Sequence, residues 1–399
     1  MIKQNEELIE RVEKNIRIYY IGQFLLVFSF TMPHAILTPI LLTKGILINQ
    51  IALIQFFYNL AMLIFEIPSG IVADRISRKK TFICSLVCLF IAFFIILKFN
   101  SLYILCLAWF VYGLSQALNT GTLDSDMINS IKSYKKDYYK PFFKNSNYLA
   151  LIGSIVGSGF GFLLYRIIDI NIYLISLSLI IIVSILIILG YKEIATKKAQ
   201  NIKLSDFKDH FLEALEEVKE NRFVKYSIIA LAILQFYLQF HFHYWQALFL
   251  ENNISKDYFY LMYILFQLLN IFVYKIDIEK FDIKKIFLVF CISLVSIFLQ
   301  ILLKGKLIYI ILYFAVLVFF MIVSYLSNYL LNKHVSQERI SAIVSFNSTI
   351  QRIVAATSLL IYALVLRIFS IKYSLTFVAF LILLLEFYLS FKILKFNEE

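Results

Sequence analysis

The stretch GIVADRISRKK, residues 70–80, places five charged side chains between two long apolar runs. The flanking runs, near residues 50–73 and 80–98, are each about as long as the 20 helical residues that cross the roughly 30 Å hydrocarbon layer of a membrane. A short charged break between two such runs predicts the turn of a helical hairpin that leaves a membrane. The pattern recurs along the chain, so we predict an all-helical membrane protein.

Composition agrees with this fold class. Of 399 residues, 61% are hydrophobic and 16% are charged, and the mean hydropathy is +0.81, whereas a soluble domain is about a quarter charged. The net charge of +12 would suit nucleic acid only as a basic face on a folded domain. Here the positive residues lie in loops, so we expect no nucleic-acid partner. The four cysteines lie inside apolar runs, and we expect no disulfide framework, metal site or cofactor.

Twelve apolar runs are separated by charged breaks. The predicted spans are 16–42, 50–73, 80–98, 102–125, 145–168, 171–191, 223–250, 257–275, 285–303, 307–331, 340–367 and 372–391. Of the 38 Lys and Arg residues, 29 fall in connections on the side of the N-terminus, 8 fall on the other side, and Arg352 lies inside a span. The positive-inside rule therefore predicts that both termini are cytoplasmic in a multi-pass protein of the cell membrane. The polar first 15 residues predict no cleaved signal peptide.

The longest polar break divides the spans six and six. We predict an N-terminal bundle over 1–191, a linker over 192–222 and a C-terminal bundle over 223–399. Within the linker, Ser205 is a candidate N-cap. Apolar residues recur at helical spacing along the same segment: Leu204, Phe207, Phe211, Leu215 and Val218. This pattern predicts an amphipathic helix that lies along the membrane surface.

A short internal repeat supports the division into halves. DRISRKKTF (74–82) and EKFDIKKIF (279–287) share the order acid, base, apolar, turn residue, any, base, Lys, any, Phe. They are offset by half the chain, and each joins the second and third spans of its half. The repeat indicates a degenerate duplication of a six-helix unit.

The opening stretch, extended to FEIPSGIVADRISRKK (65–80), resembles the signature loop of the major facilitator superfamily, Gly-x-x-x-Asp-(Arg/Lys)-x-Gly-(x)-Arg-(Arg/Lys), in which the bracketed x is optional. Ser77 stands where that family usually has Gly. ALNTGTLDSD (117–126) and NSTIQRIVAATS (347–358) are similar to a branch with many drug-exporter-like members. The resemblance implies a twelve-span transporter rather than an enzyme. We expect a monomer in the lipid bilayer whose other partners are a small-molecule substrate and protons.

The resemblance also implies that the loop is a conformational latch. In the family, Asp74 holds the cytoplasmic end of the eleventh span, and Arg75 and Arg78 pair with an acid at the end of the fourth. A helix N-terminus carries partial positive charge and unpaired amides, which suits Asp74. Alternatively, these charges only anchor the topology. The latch candidates are Gly70, Asp74, Arg75, Arg78, Lys79, Asp124 and Asp126.

The fifth span contains GSIVGSGFGF, residues 153–162. It resembles the antiporter motif of drug–proton exchangers, with Ser158 in place of Pro and Phe162 in place of the last Gly. The alternative is packing, because small residues four apart let helix backbones approach closely.

Polar side chains inside spans 1, 4, 7 and 10 are candidates for a substrate cavity, because such residues in a membrane usually face a bundle interior or water. These spans line the cavity in the resembled family. In span 7 the polar positions form one helical stripe. The candidates, with Arg352 of span 11, are Gln23, His34, Tyr112, Gln116, Asn119, Gln235, Gln239, His243, Gln246, Tyr313, Asn328 and Arg352. Alternatively, such side chains only tie neighbouring helices together.

Candidates for proton coupling are Glu66, His34 and His243. Glu66 lies in the cytoplasmic third of span 2 and could instead support the latch, and Glu386 in span 12 is expected to be peripheral. The leading hypothesis is proton-coupled efflux of a small amphipathic molecule. The alternative is uptake or facilitated transport of a small polar or anionic solute, with Arg352 and the histidines as its contacts.

Overall fold

The computed structural model describes residues 2–194, 204–336 and 339–398, and the regular structure in these ranges is all helical. The helices of the first half are α1 Ile2–His34, α2 Leu37–Thr43, α3 Ile48–Arg75, α4 Arg78–Lys98, α5 Leu102–Asn119, α6 Leu123–Tyr134, α7 Tyr139–Ile168 and α8 Ile172–Gly190. The remaining helices are α9 Leu204–Glu220, α10 Arg222–Glu251, α11 Phe259–Tyr274, α12 Ile283–Leu302, α13 Lys306–His334, α14 Ile340–Val365 and α15 Ile371–Glu398.

Most of these helices are long and apolar enough to cross a membrane. In the described ranges ten helical segments meet that standard, and α1 with α2, bent by 49°, brings the number to eleven. One of the ten, Lys136–Gly190, is 55 residues long. It contains both α7 and α8, which are joined by a 3₁₀ turn at Asp169–Asn171.

The chain forms two compact units. Unit 1 comprises Met1–Gln50, Ile54–Ile202 and Asp257–Ile264, and unit 2 comprises Ile51–Leu53, Lys203–Lys256 and Leu265–Glu399. The start of α11 belongs to unit 1, and Asp257, which precedes this helix, forms an ion pair with Arg166 of α7. In addition, Tyr260 stacks on Phe162 with 4.5 Å between ring centroids.

Glycines bring two helices of unit 1 into backbone contact. A Cβ added at Gly161 of α7 would lie 2.2 Å from the carbonyl oxygen of Met32 in α1, and one at Gly157 would lie 3.0 Å from that of Phe28. A Cβ at Gly159 would meet no atom within 4 Å. Close packing of α7 on α1 thus accounts for Gly157 and Gly161 of the stretch GSIVGSGFGF.

The predicted fourth span, 102–125, is interrupted. Helix α5 ends at Asn119, Gly121 has a φ of +71°, and α6 begins at Leu123. A left-handed φ is accessible to glycine at little cost, so the helix can stop there and restart. Asp124 and Asp126 consequently lie in the first turn of α6, where negative charge favours a helix N-terminus, and not at the end of the preceding helix.

The two copies of the sequence repeat make the same helix cap. Ser77 accepts a hydrogen bond from the backbone N–H of Lys80 at the start of α4. Asp282, at the matching position of the second copy, accepts one from the N–H of Lys285 at the start of α12. Ser and Asp are preferred N-caps because the side-chain oxygen satisfies an orphan amide of the first turn. Beside the second cap, Lys280 donates to Asp277 and lowers the pKa of that carboxyl below its usual value.

The linker helix α9 packs onto unit 2. Ala214 belongs to a buried cluster with residues of α10, α13 and α14, and Leu215 and Val218 pack against the same cluster. The prediction that the apolar face rests on the membrane surface is wrong for this half of the helix, because these side chains are used for helix packing. Leu204, Ser205, Phe207 and Phe211 lie outside the described side chains.

The polar face of α9 is held by ionic contacts. Arg339, which precedes α14, lies 3.4–3.5 Å from the carboxylates of Glu216, Glu217 and Glu220. Glu217 is buried and also accepts hydrogen bonds from the backbone N–H and the hydroxyl of Ser336, both at 3.2 Å. The end of α9 is therefore tied to the α13–α14 connection by charge as well as by apolar packing.

Candidate functional site

Ser77 and Lys79 of the stretch GIVADRISRKK contact the C-terminal end of α8. The ammonium of Lys79 donates to the carbonyl oxygens of Ile188 (2.9 Å) and Tyr191 (2.7 Å). Glu193 accepts from the Ser77 hydroxyl at 2.6 Å and from the Lys79 backbone N–H at 3.1 Å. A cation is favourable at a helix C-terminus, where carbonyl groups lack intrahelical partners.

Polar contacts extend from this point to α6 and α1. The Tyr191 hydroxyl donates to Asp126 at 2.6 Å, and both residues are buried. The Tyr19 hydroxyl of α1 donates to Asp124. Asn15 exchanges two hydrogen bonds with the backbone of Lys192. We call these groups the motif network: Asn15, Tyr19, Ser77, Lys79, Asp124, Asp126, Tyr191, Lys192 and Glu193.

The structure brings several of the predicted latch residues together. Lys79, Asp124 and Asp126 belong to the motif network, and the Arg78 charge acts on the Asp126 carboxylate. Gly70 is exposed, and a Cβ added there would meet no atom within 4 Å in the described residues. The side chains of Asp74 and Arg75 lie outside the described part, so the contact of Asp74 with the eleventh span stays a prediction.

Sequence reasoning missed the partners of this motif. Tyr191 and Glu193 lie more than 110 residues from Ser77 and Lys79 along the chain. The available signal was weak: YKE at 191–193 ends an apolar run with hydrogen-bonding side chains. Many apolar runs of membrane proteins end in polar residues, so YKE gives no specific indication of these contacts.

In unit 1, two predicted cavity residues, His34 and Tyr112, belong to an aromatic cluster. His34 stacks on Tyr112 with 5.5 Å between ring centroids, and Tyr58 and Phe93 lie 5.2 Å and 5.6 Å from Tyr112. Tyr112 itself is buried. Flat aromatic surfaces of this kind bind flat, amphipathic molecules well.

Three predicted amide side chains of unit 1 are half-buried: Gln23, Gln116 and Asn119. None of the side-chain hydrogen bonds found within the described residues involves them. Amides without an intramolecular partner can donate to and accept from a ligand. Glu66, also half-buried, lies near the end of α3, one turn from Ser69, whose hydroxyl donates to the Ala117 carbonyl.

In unit 2, the predicted stripe of α10 is a continuous hydrogen-bonded chain. Gln235 donates to Gln351 of α14 at 2.8 Å, and Gln239 donates to Gln235 at 3.1 Å. His243 Nε2 lies 3.1 Å from the Gln239 side-chain oxygen. We call this chain, Gln351–Gln235–Gln239–His243, the amide relay. It places a titratable imidazole at one end of a line of groups that can each donate and accept.

The other predicted residues of unit 2 lie in different environments. Tyr313 is buried, and its hydroxyl lies 2.5 Å from His241 Nδ1. The hydroxyl is therefore used in a hydrogen bond within the core of unit 2. Gln246 is buried, and Arg352 is half-buried next to Gln351 in α14. Asn328 is exposed and donates to the Ser324 carbonyl of its own helix.

A crevice of about 690 Å³ lies in unit 2, where α10, α14 and α15 meet. It is lined mainly by aliphatic and aromatic side chains such as Phe236, Tyr362 and Phe377, and it contains none of the predicted cavity residues. A binding pocket normally adds a few placed polar groups that orient its ligand. We therefore do not assign this crevice to the substrate.

The sequence matches a family profile, and the structure is similar to solved structures of known transporters. Residues 19–124 and 147–359 match the sequence profile described as Major Facilitator Superfamily. The nucleoside transporter NupG has a similar structure, with a TM-score of 0.72 and 16% identity over 98% of this chain and 99% of that one. The POT family transporter PepTSo gives 0.70 and 14% over 96% and 98%. The human organic anion transporter MFSD10 gives 0.61 and 12% over 95% and 99%.

No curated protein sequence matches this chain significantly, and the identities to the solved structures are low enough that these show the fold alone. The family profile, however, covers most of the chain in two long segments. This multi-pass membrane protein therefore belongs to the major facilitator superfamily, whose members are transporters rather than enzymes.

Proposed function

We propose that this protein is a proton-coupled exporter of a small, flat, amphipathic molecule that works by alternating access. The amide relay carries this proposal, because it joins hydrogen-bonding groups for a ligand to an imidazole that can change charge. The His34–Tyr112 stack in unit 1 supplies an aromatic surface for the same kind of ligand. The direction of transport rests on the drug-exporter-like motifs of the sequence.

A second candidate is uptake of a small polar or anionic solute. The relay amides and the half-buried Arg352 favour a ligand that is rich in hydrogen-bonding or acidic groups. Two of the similar structures are described as a nucleoside transporter and an organic anion transporter. Nucleosides and organic anions are thus the classes to examine for this candidate.

We propose twelve crossings with both termini in the cytoplasm. The segment Lys136–Gly190 would be about 80 Å long as one helix, more than twice the hydrocarbon layer, and it contains two helices. Counting α7 and α8 separately, and the bent pair α1–α2 as one span, gives twelve. The excess of Lys and Arg then lies on the side of both termini.

The two candidates predict opposite fluxes. Cells that express the full-length protein are loaded with ethidium, a flat cation, and its fluorescence is followed with and without a protonophore. For an exporter, we expect ethidium to leave faster than from control cells, and the protonophore should abolish the difference. In parallel, labelled uridine and a labelled organic anion are supplied from outside, and their accumulation in the cells is measured. The second candidate function predicts that one of them accumulates.

Variants connect the flux to the site. Gln239→Ala breaks the amide relay and should slow ethidium export at least several-fold. Gln300→Ala, a buried amide in α12 outside the candidate set, is the matched control and should leave export unchanged. Accumulation of a labelled solute without ethidium export would replace the first candidate by the second, and equal loss in both variants would contradict a specific role of the relay.

A further inference from the structure

One carboxyl group in the membrane-spanning part of unit 2 lacks a partner. Glu386 of α15 is fully buried, and within the described residues neither carboxyl oxygen has a hydrogen-bond partner. It lies 15 residues after the start of α15, roughly 23 Å along the helix and so within the hydrocarbon layer. The expectation that Glu386 is peripheral is wrong, because the residue faces the packed helices.

Contacts between helices show which residues of neighbouring helices lie at the same height along the helix axis as Glu386. We call residues at the same height level with one another. In α10, Phe223 lies beside Phe396 (6.2 Å between centroids), and the Tyr226 hydroxyl lies 3.3 Å from the Lys392 ammonium. The two helices are thus antiparallel, and Glu386 is level with about residue 232 of α10. In α12, Phe290 stacks on the adjacent residue Phe387 at 4.2 Å.

Three hydroxyl groups at nearby levels share this lack of partners. Ser390 lies one turn from Glu386 on the same face of α15. Ser227 of α10 is level with Ser390, and Ser327 of α13 is level with about residue 230 of α10, given the stacking of Tyr237 on Phe320. All three serines are buried, and their hydroxyls are unpartnered within the described residues.

The packed helices provide no charge that compensates a carboxylate at this level. Within one turn of it, the titratable groups on α10, α12, α13 and α15 are Cys291, Tyr325, Tyr329 and Tyr388. The nearest basic residue of α15, Lys392, lies six residues away. Its ammonium sits between the rings of Tyr226 and Tyr388, at 5.1 Å and 4.8 Å.

These observations favour a neutral side chain. An ionised carboxylate that is buried without a partner costs so much free energy that the group takes up a proton instead. Serine hydroxyls can accept a bond from a carboxylic O–H and can donate to a carboxylate after rotation about χ1. The surroundings therefore suit a carboxyl group that gains and loses a proton.

We propose that Glu386 is a proton-binding site of unit 2, protonated in this conformation and ionised when its packing loosens. On release, the O–H bond of the carboxylic acid breaks and the proton passes to a water molecule that enters as the packing loosens, and Ser390, one turn away on the same face of α15, can then donate to the carboxylate. The protonated state stands on geometry alone. Its use to drive transport rests on the proposed proton coupling.

The protonated state is measured without any substrate. The full-length protein in lipid vesicles at neutral pH is examined by infrared spectroscopy for the carbonyl stretch of a protonated carboxyl group. We expect a band that shifts in heavy water and is lost in Glu386→Gln, which has the shape of the neutral acid. Glu251→Gln removes an exposed carboxylate at the end of α10 and should leave the band in place.

A wild-type spectrum without the band, or a band that persists in Glu386→Gln, would overturn the assignment. If Glu386→Gln does not fold, Glu386→Asp replaces it, and the band should move rather than vanish. The coupling role is measured separately in vesicles loaded with ethidium. Glu386→Gln should keep ethidium exchange and lose its acceleration by a pH gradient, whereas a variant that is still accelerated contradicts coupling and leaves the infrared result intact.

Discussion

Tyr191 shows how a single side chain can organise one end of a bundle. It ends α8, its carbonyl accepts from Lys79, and its hydroxyl donates to Asp126. The side chain is fully buried, and Asp126 is nearly so. A hydrogen bond to a charged group contributes more than one between neutral groups, and its loss leaves a buried carboxylate with fewer donors.

Tyr191→Phe should therefore lower stability by about 1.5–3 kcal/mol, because the ring still packs while Asp126 loses its donor. The measurement is thermal unfolding of the purified protein in one detergent. Tyr148→Phe is the control, since Tyr148 is 53% exposed and should unfold as the wild type does. An unchanged unfolding midpoint for Tyr191→Phe would show that the hydrogen bond from Tyr191 to Asp126 does not stabilise the motif network.

Residue identity alone did not reveal Glu386. The sequence places it in an apolar helix, and helical periodicity tells which residues share a face, yet not which face meets other helices in a chain that is apolar all round. The stripe of α10 was predictable because its glutamines and histidine recur with one period. Which face of α15 packs against other helices depends on tertiary contacts, and these are not visible in the sequence pattern.

At the scale of elements, Gly161 tests whether α7 needs its glycines for packing. Gly161→Ala places a methyl group against the Met32 carbonyl and should destabilise by about 1–3 kcal/mol through overpacking. Gly159→Ala meets no atom within 4 Å and should be neutral or slightly stabilising, since alanine favours helix. The unfolding temperatures of the two variants measure this difference. Equal effects at the two sites would contradict the packing account of the stretch.

The duplicated cap makes a paired prediction. Ser77→Ala and Asp282→Ala each remove the side-chain acceptor for the first turn of a helix, and each should cost about 1 kcal/mol. Ser77→Ala should cost more, because Ser77 also donates to Glu193. Chemical denaturation of the two single variants measures the difference. A larger loss for Asp282→Ala would contradict the stabilising contribution of the bond between Ser77 and Glu193.

Helix α9 offers a prediction about charge. Arg339→Ala removes a guanidinium that faces three glutamates, so amide hydrogen exchange over residues 212–220 should become faster. High salt should speed this exchange in the wild type and have less effect in the variant, because exposed ion pairs are screened. Lys333→Ala is the control, since Lys333 lies over the ring of Tyr329. Exchange that does not change in Arg339→Ala would mean that apolar packing alone holds α9.

At the scale of the whole molecule, the number of crossings decides which loops share a side. Single cysteines placed at Asn100 and Asn253, in a protein whose own four cysteines are replaced, should react with an impermeant reagent added to intact cells. Cysteines at Lys136 and Lys280 should react only after permeabilisation, if twelve spans place them in the cytoplasm. Any reversal between neighbouring loops would change the parity of the spans.

Much of the whole-molecule plan could be predicted from sequence, since apolar runs and the family motif point to the superfamily that the profile match shows. The break in span 4 was missed because TGT at 120–122 reads as three small residues in a helix, while Gly121 adopts a left-handed φ. The bonds between Lys79 and the end of α8 join residues over 100 positions apart. No local pattern contains that information.

The docking of α9 has a mechanical consequence. A free linker over 192–222 could stretch to about 100 Å, but the end of α9 is fastened to unit 2. The remaining tether between Ile194 and Leu204 reaches at most about 35 Å. The length of this segment limits the distance between Ile194 and Leu204 during a transport cycle. Shortening the segment should therefore restrict the movement of these two residues without changing any residue that contacts a ligand.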